Sequence, residues 1–353
     1  MKTVKTVVTV VTIFSLCSVW SCSNSPIKGS VNFVFDTILP LQGEAVNINE
    51  VLNPANITQS DDYIIIMTEP QQSSDRNLFY VYSKDDFHFL YSFGKSGRGP
   101  NEFYMPVIVE HGPANNFFVL DNISTKYHSF ILTDTAAVIR DVINFKKEVP
   151  DLVQAIAYVN DSVILYETYG AHGSGLYSYN INSAITIDKL TFTSGFEKKT
   201  GPDYWSEMDT FHFDSKDRQI VAAHRFIDEL SVSSLNADYS FAQKDIILKN
   251  AGFSPHVGKD KNKKICYYIY TYIGNQNIFA ERMGRPFEEL LPWHIGRSFI
   301  FDIEMFDKEL NPVALLKFDH DMLKFLVDED NKFIYAWNPM ENFDCIYKYH
   351  YDI

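Results

Sequence analysis

The stretch that decides the fold is Phe93-Gly94-Lys95-Ser96-Gly97-Arg98-Gly99-Pro100-Asn101-Glu102-Phe103, which lies between two segments with the pattern of β-strands. Its glycines and its proline require backbone angles that are positive or fixed, which other residues adopt only at a cost. The stretch therefore predicts a loop of defined shape. We expect it to lead the chain from the outer strand of one repeat into the inner strand of the next, with Arg98 and Glu102 paired or facing a central channel.

The same loop excludes a phosphate site of the P-loop type, because it lacks the GK[ST] ending and no helical pattern follows it. With its flanks it resembles the GxxGRGPxEF loop of the six-bladed, TolB-like β-propeller lipoproteins of Bacteroides-type bacteria. The resemblance implies an all-β propeller at the cell envelope.

The rest of the chain has the pattern of many short strands. Apolar runs are short and are bounded by Asn, Asp, Gly and Pro, and aromatic residues are frequent, with 21 Tyr and 28 Phe. Similar strand segments recur behind polar turn residues at intervals of roughly 45 to 70 residues, which is the scale of a propeller blade. The six segments begin at Asp62, Asn116, Asp161, Arg218, Lys264 and Asn331.

Six repeats predict an all-β, six-bladed β-propeller formed by residues 31–353. Propellers close by pairing a strand from one terminus with the blade at the other, and the alternation in residues 31–39 predicts that this segment completes the last blade. A two-sheet sandwich is the alternative, but it does not explain the regular spacing.

Residues 274–297 break the pattern. Their apolar spacing and Pro286 predict a short helical insertion in the fifth blade.

The amino terminus has the pattern of a lipoprotein export signal. Lys2 and Lys5 precede a short apolar run, and Ser21 stands before Cys22 as in a lipobox. We expect residues 1–21 to be the signal peptide, Cys22 to carry the lipid, and residues 22–30 to be a tether. A plain secretory signal is the alternative. The lack of an acidic pair after Cys22 favours the periplasmic face of the outer membrane, with the cell surface as the other location.

Charge and composition exclude several classes of function. The formal net charge is −14, and a nucleic-acid ligand needs a basic surface that this chain lacks.

No spacing of Cys or His predicts zinc, and we predict no cofactor and no metal. Cys266 and Cys345 lie in strand-like runs and are expected to be buried free thiols, with a disulfide as the alternative. His212 and Asp214 share one face of a strand, but satisfied polar residues are the preferred interpretation.

Recognition is favoured over catalysis. No GxSxG elbow indicates a serine hydrolase, and we predict no catalytic residue. Because aromatic residues and arginine dominate recognition sites, the candidates for ligand binding are Arg98, Glu102, Tyr204, Trp205, His212, Arg225, Trp293 and His294. The prediction is a monomeric, lipid-anchored module that binds an envelope protein, a glycan or a peptide. The alternative is a hydrolase or lyase that acts on carbohydrate or peptide in the channel.

Overall fold

The computed structural model describes residues 34–353 with internal gaps, and most of this part of the chain is β-strand. Cys17, Cys22 and residues 31–33 lie outside the described residues. Within the described part, no helix is long and apolar enough to cross a membrane. The gaps are 52, 71–75, 100, 111, 147–151, 170–174, 191–208, 226–227, 243–244, 249–264, 291–300 and 339–343.

Consecutive strands pair antiparallel, so the chain forms one four-stranded unit after another. The first two units contain β3 (Pro54–Gln59), β4 (Tyr63–Thr68), β5 (Asn77–Ser83) and β6 (Phe89–Ser96), then β8 (Pro106–Glu110), β9 (Asn116–Asp121), β10 (Lys126–Leu132) and β11 (Ala137–Asn144). The next two contain β12 (Leu152–Asn160), β13 (Val163–Tyr169), β14 (Gly175–Asn180) and β15 (Ile185–Leu190), then β16 (Asp209–Asp214), β17 (Gln219–His224), β18 (Glu229–Ser234) and β19 (Asp245–Leu248). The last two contain β20 (Ile265–Ile273), β21 (Asn277–Pro286), β22 (Asp302–Asp307) and β23 (Pro312–Lys317), then β24 (Lys324–Asp328), β25 (Phe333–Trp337) and β26 (Cys345–His350).

The second and third units belong to one eight-stranded sheet. Their first strands, β8 and β12, pair in parallel where Val109 is opposite Ile156. Over the described residues the hydrogen-bonded sheets therefore number five. This differs from the six separate blades that the sequence predicts, because a backbone pairing between two units cannot be recognised from the spacing of repeats.

The hydrophobic core runs between neighbouring units and closes into a ring. Separate clusters of buried side chains lie between the first and second units, the second and third, the third and fourth, and the fourth and fifth. A larger cluster joins the fifth and sixth units to the first. Phe87 of the first unit and Tyr335 of the sixth have ring centroids 5.5 Å apart. Because the sixth unit packs on the first, the arrangement is that of a β-propeller.

Two N-terminal strands complete the last two units. β1 (Ile38–Pro40) pairs in parallel with β23, and β2 (Glu44–Asn47) pairs antiparallel with β26. A terminal strand thus closes the sixth unit. The prediction that residues 31–39 form this strand was wrong, because the closing strand is β2. The strand that closes it is mostly exposed, so it carries no apolar alternation that the sequence could reveal.

The predicted helical insertion is also wrong. Residues 279–283 belong to β21, which pairs on both sides, with β20 and with β22. Ala, Glu, Arg and Met favour helices, but pairing within a sheet overrides that preference. Only Phe287–Leu290 forms a short 3-10 turn after β21, and residues 291–300 lie outside the described part of the chain.

Both cysteines in the described residues are free thiols, as expected, and the alternative disulfide is not formed. Cys266 is fully buried in the core of the fifth and sixth units, and Cys345 is only partly buried. Burial raises the pKa of Cys266 to about 12. Its thiol is therefore protonated and unreactive at neutral pH.

Candidate functional site

A cavity of about 700 Å³ opens at one end of the ring, and we call it the mouth. It lies where the first strand of each unit turns into the second, so all six units contribute to its wall. Its volume falls within the range of about 300–1,000 Å³ that is typical of ligand cavities. One lining residue from each unit, in chain order, is Gln59, Pro113, Tyr158, Asp214, Tyr272 and Asp328.

A hydrogen-bonded group of side chains connects three units across the mouth. The amide nitrogen of Gln59 donates to the Tyr272 hydroxyl at 3.3 Å and to the carbonyl oxygen of Val327 at 2.7 Å. The amide oxygen of Gln59 is shielded from solvent and has no hydrogen-bond partner among the described residues. Because both donor contacts fix the amide, Gln59 joins the first unit to the fifth and the sixth.

His212 supports this group from behind. Its ring is buried and lies 4.5 Å from the ring of Tyr272, and its Nδ1 accepts a hydrogen bond from the backbone N–H of Ile273 at 3.3 Å. The side chain therefore joins the fourth unit to the fifth. Of the predicted ligand-binding residues, His212 is the one that the described structure brings next to the mouth, in a layer behind Tyr272.

Asp328 and Glu329 of the sixth unit are buried in the wall of the mouth. Asp328 forms an ion pair with Lys84 of the first unit, with Nζ and Oδ1 3.4 Å apart. Glu329 accepts hydrogen bonds from the backbone N–H of Gln276 at 2.9 Å and from the amide of Asn277 at 2.8 Å. Both carboxylates thus hold neighbouring units together.

Gly274 allows this contact between the fifth and sixth units. A Cβ atom at this position would lie 2.5 Å from Oε2 of Glu329, closer than side-chain atoms approach. Glycine is therefore required by close approach rather than by an unusual backbone angle.

Asp214 of the fourth unit is the third buried carboxylate of the mouth. Its Oδ2 lies 2.6 Å from Nζ of Lys308 in the fifth unit. Asp214 is thus engaged by an ammonium group, and His212 by a backbone amide. Within the described residues, no three His, Cys, Asp or Glu side chains are placed to hold a metal ion.

The glycine-rich loop lies away from the mouth, between β6 and β8, where the first unit leads into the second. β7 (Glu102–Phe103) pairs in parallel with the end of β6, and the Glu102 carboxylate accepts a hydrogen bond from the backbone N–H of Gly99 at 2.7 Å. A Cβ atom at Gly97 would lie 2.0 Å from Oε2 of Glu102. The loop has the structural role that its glycines predict.

The predicted pairing of Arg98 with Glu102 is wrong. Arg98 is exposed, and its guanidinium carbon lies 4.5 Å from the centroid of the Tyr104 ring. The Glu102 carboxylate accepts a hydrogen bond from the backbone N–H of Gly99 instead. The other predicted arrangement, with both side chains facing the channel, is not observed at the mouth, because neither residue lines it. An exposed cation–π contact contributes about 0.5–1 kcal/mol, so Arg98 stabilises the loop less than a buried pair would.

Arg225 does not line the mouth. Arg225 follows β17 and its carbonyl oxygen accepts a hydrogen bond from Tyr267 N–H at 2.7 Å. Burial raises the pKa of Glu281, a residue of β21, and the positive charge of Arg225 offsets part of that rise. The remaining candidates lie outside the described residues; they are Tyr204, Trp205, Trp293 and His294.

Glu281 is a feature that the sequence analysis did not single out. It is fully buried midway along β21, and in the described part of the chain neither carboxyl oxygen has a hydrogen-bond partner. Phe279 and Met283, two residues away on each side, belong to the core between the fifth and sixth units, so Glu281 faces that core. Burial raises its pKa to about 8. A single acidic residue in a strand carries no sequence signal of such burial.

Comparisons with known proteins identify the fold. No protein-family model and no curated protein matches the chain. A DUF4221 family member from Bacteroides vulgatus is similar in structure, with a TM-score of 0.58 and 12% identity over 87% of this chain and 96% of that one. A Bacteroides fragilis protein described as exported has a TM-score of 0.54 and 13% identity over 92% and 99%. A luciferin-regenerating enzyme has a TM-score of 0.50 and 8% identity over 88% and 95%. At such low identity, the likeness shows the fold alone.

Proposed function

We propose that this chain is a lipid-anchored, six-bladed β-propeller that binds a protein, peptide or glycan partner at the cell envelope, with the mouth as the binding site. The observation that carries this proposal is the convergence of all six units on one polar cavity. Each four-stranded unit is counted as one blade, including the two halves of the eight-stranded sheet. Propellers commonly bind ligands at the ends of the central channel, where loops from every blade meet.

The engagement of the carboxylates favours binding over catalysis. General acid–base cleavage of a glycosidic bond requires two carboxyl groups that are free to exchange protons with the substrate. In the described wall, the buried carboxylates of Asp214, Asp328 and Glu329 are each bound to a cation or to amide groups of a neighbouring unit. The other two carboxylates of the wall, those of Asp61 and Asp330, are exposed rather than enclosed with a substrate. The hydrolase or lyase alternative has no specific observation in its favour.

Filling the mouth should abolish ligand binding without unfolding the protein. Ser215 is an exposed lining residue, so Ser215→Trp places a large side chain in the cavity and disturbs no core contact. We expect a panel of peptides and oligosaccharides, screened by thermal shift and calorimetry, to contain ligands that bind the wild type and not this variant. Ser183→Trp is the control, because Ser183 is exposed in the turn after β14 and does not line the mouth. Ligands that bind both variants equally would place the site elsewhere.

The lipid anchor and the location are supported by the N-terminal pattern at Cys22 and by the similar Bacteroides fragilis structure, which is described as exported. Several acyl chains on one cysteine hold a protein durably at a membrane, because each buried methylene contributes about 0.8 kcal/mol. The periplasmic face of the outer membrane is the proposed location.

Cys22→Ala should therefore move the protein out of the membrane fraction or stop its maturation, whereas Cys17→Ala should leave it membrane-bound. The measurement is cell fractionation with labelled fatty acid. Membrane retention of both variants without incorporated label would rule out the anchor, while leaving binding at the mouth untouched.

A further inference from the structure

We propose that the outer edge of the second unit binds a second copy of this chain, with β11 of one copy paired antiparallel to β11 of the other. No residue of β11 lines the mouth, so this surface is separate from the proposed binding site. Three features of the strand support the pairing. Its edge is exposed and apolar, its sequence is complementary to itself in the reverse direction, and a β-bulge aligns both of its faces with the second copy.

The outer edge of β11 is open to another strand. β11 is the last strand at one end of the eight-stranded sheet, so no described strand covers that edge, whereas β1 covers the corresponding strand of the fifth unit. Val138, Ile139 and Val142 of β11 are 54%, 42% and 42% exposed. Ile131 of the neighbouring β10 is 43% exposed. An unpaired edge with exposed apolar side chains is a template for pairing with another chain.

The charges of β11 favour a copy of the same strand as its partner. The strand reads Ala137-Val138-Ile139-Arg140-Asp141-Val142-Ile143-Asn144. A two-fold axis between Arg140 and Asp141 places the guanidinium group of each copy opposite the carboxylate of the other. Opposite charges directly across an antiparallel pair are stabilising, and the two-fold axis forms this contact twice. Arg140 also donates from Nη2 to Asp161 of the third unit at 2.9 Å, which uses only one of the five N–H donors of its guanidinium group.

A β-bulge brings the apolar side chains of β11 into the same register. In a regular strand, residues three apart point to opposite faces of the sheet. On β11, however, the partners of Ile139 and Val142 are residues 130 and 128 of β10, which are two apart, so both side chains lie on one face. The cause is Arg140, an extra residue that has no counterpart on β10. In the register that pairs the charges, Ile139 of each copy is therefore opposite Val142 of the other.

The other face of β11 matches in the same way. Val138 and Ile143 are opposite residues 131 and 127 of β10, which are four apart, so these two side chains also share a face. The same register places Val138 of each copy opposite Ile143 of the other. Both faces of the joined sheet are thus apolar on either side of a central pair of opposite charges.

These dimensions predict a weak dimer. β11 has eight residues, whereas each side of a standard interface contributes roughly 20–30. Each copy also has a formal net charge of −14, so two copies repel each other outside the local complementarity of β11. Dilute protein should therefore be the monomer that the sequence predicts, and the dimer should form as the concentration rises.

Sedimentation velocity tests the proposal on the mature chain, residues 22–353, with Cys22→Ala so that no lipid contributes to association. Between low micromolar and millimolar concentration, we expect the sedimentation coefficient to rise from that of a monomer to that of a dimer and no further, because a two-fold contact is closed. Arg140→Asp and Asp141→Arg each place like charges across the axis twice, so each should weaken dimer formation by roughly tenfold or more. Both residues are exposed, so the dilute variants should melt close to the wild type.

Mixing the two variants separates strand pairing from a general loss of association. Arg140→Asp has two carboxylates at the centre of β11 and Asp141→Arg has two guanidinium groups, so one copy of each restores opposite charges at both positions. The equimolar mixture should therefore dimerise well above either variant alone. The control is Asp36→Arg, which makes the same change of charge at an exposed residue before β1 and should dimerise like the wild type.

Three results would contradict the proposal. A wild-type chain that stays monomeric at millimolar concentration would exclude the dimer. Equal dimer formation by Arg140→Asp, Asp141→Arg and Asp36→Arg would show that β11 is not the interface. A mixture that associates no more than its two components would exclude the antiparallel register between Arg140 and Asp141. Each of these results leaves ligand binding at the mouth untouched, because β11 does not line it.

Discussion

Glu281→Gln is expected to remove most of the pH dependence of stability between about pH 5 and pH 8. The carboxyl group of Glu281 is fully buried, and no described residue forms a hydrogen bond with either oxygen. Burial raises its pKa to about 8, although the positive charges of Arg225 and Lys324 act in the opposite direction. Phe279 and Met283 on the same face of the strand belong to the core between the fifth and sixth units, together with the buried thiol of Cys266.

The sign of the effect follows from proton linkage. In the unfolded chain a glutamate has a pKa of about 4.3, so between this value and about 8 the folded state keeps a proton that the unfolded state has released. The stabilisation from this proton is complete below the unfolded pKa, and it is lost as the pH rises through the folded pKa. The free energy of unfolding should therefore fall by up to about 1.4 kcal/mol for each pH unit within the window.

Urea unfolding at several pH values between 5 and 8 measures this slope. Glutamine has the shape of the protonated acid and does not titrate, so the Glu281→Gln variant should have a smaller slope and should be the more stable protein near pH 8. Glu44→Gln, at an exposed position of β2, serves as the control and should keep the wild-type slope. Equal slopes for Glu281→Gln and the wild type would show that Glu281 ionises freely in the folded protein.

The repeat pattern predicts the fold well where a strand follows a polar turn. Of the six predicted starts, those near Asp62, Asn116, Asp161, Arg218 and Asn331 precede the second strands of their units. The start at Lys264 instead precedes β20, the first strand of the fifth unit. The true counterpart begins at Asn277, within the segment that was interpreted as helical, because its residues have high helix propensity and only the sheet pairing reveals their state.

The backbone angles inside the turns could not be predicted, although polar residues mark the turns themselves. Positive φ angles occur at Phe87, Ala114, Arg218, Leu310 and Lys332, although glycine is the residue usually expected in that conformation. In these turns the pairing of the two flanking strands imposes the backbone angle. Composition therefore does not show which residue of a turn has the positive φ.

The candidate site could be predicted only in part. The sequence indicates polar turns before the strands, but Gln59 and Asp328, about 270 positions apart, line one cavity only because the ring closes. The importance of Gln59 and Tyr272 depends on a hydrogen bond between the first and fifth units. Aromatic and arginine content, which guided the prediction, indicates recognition in general and does not indicate which end of a ring is the site.

Removal of the N-terminal strands should have the largest effect on folding. β1 and β2 contribute seven residue pairings to the fifth and sixth units, and Leu41 between them is buried in the core that joins these units to the first. At about 1 kcal/mol for each net hydrogen bond, together with the apolar burial of Leu41, the loss is several kcal/mol. That is a large part of the 5–15 kcal/mol or so that stabilises a typical domain.

A chain that starts at residue 48 is therefore expected to aggregate and to lose cooperative unfolding, because the edges of β23 and β26 are left unpaired. A chain that starts at residue 34 keeps both strands and should melt as a cooperative monomer, as measured by calorimetry and size-exclusion chromatography. A synthetic peptide of residues 34–47, added to the shortened chain, should restore its cooperative transition, since the same backbone pairings can form between two molecules. A shortened chain that melts like the longer one without the peptide would mean that the ring closes by side-chain packing alone.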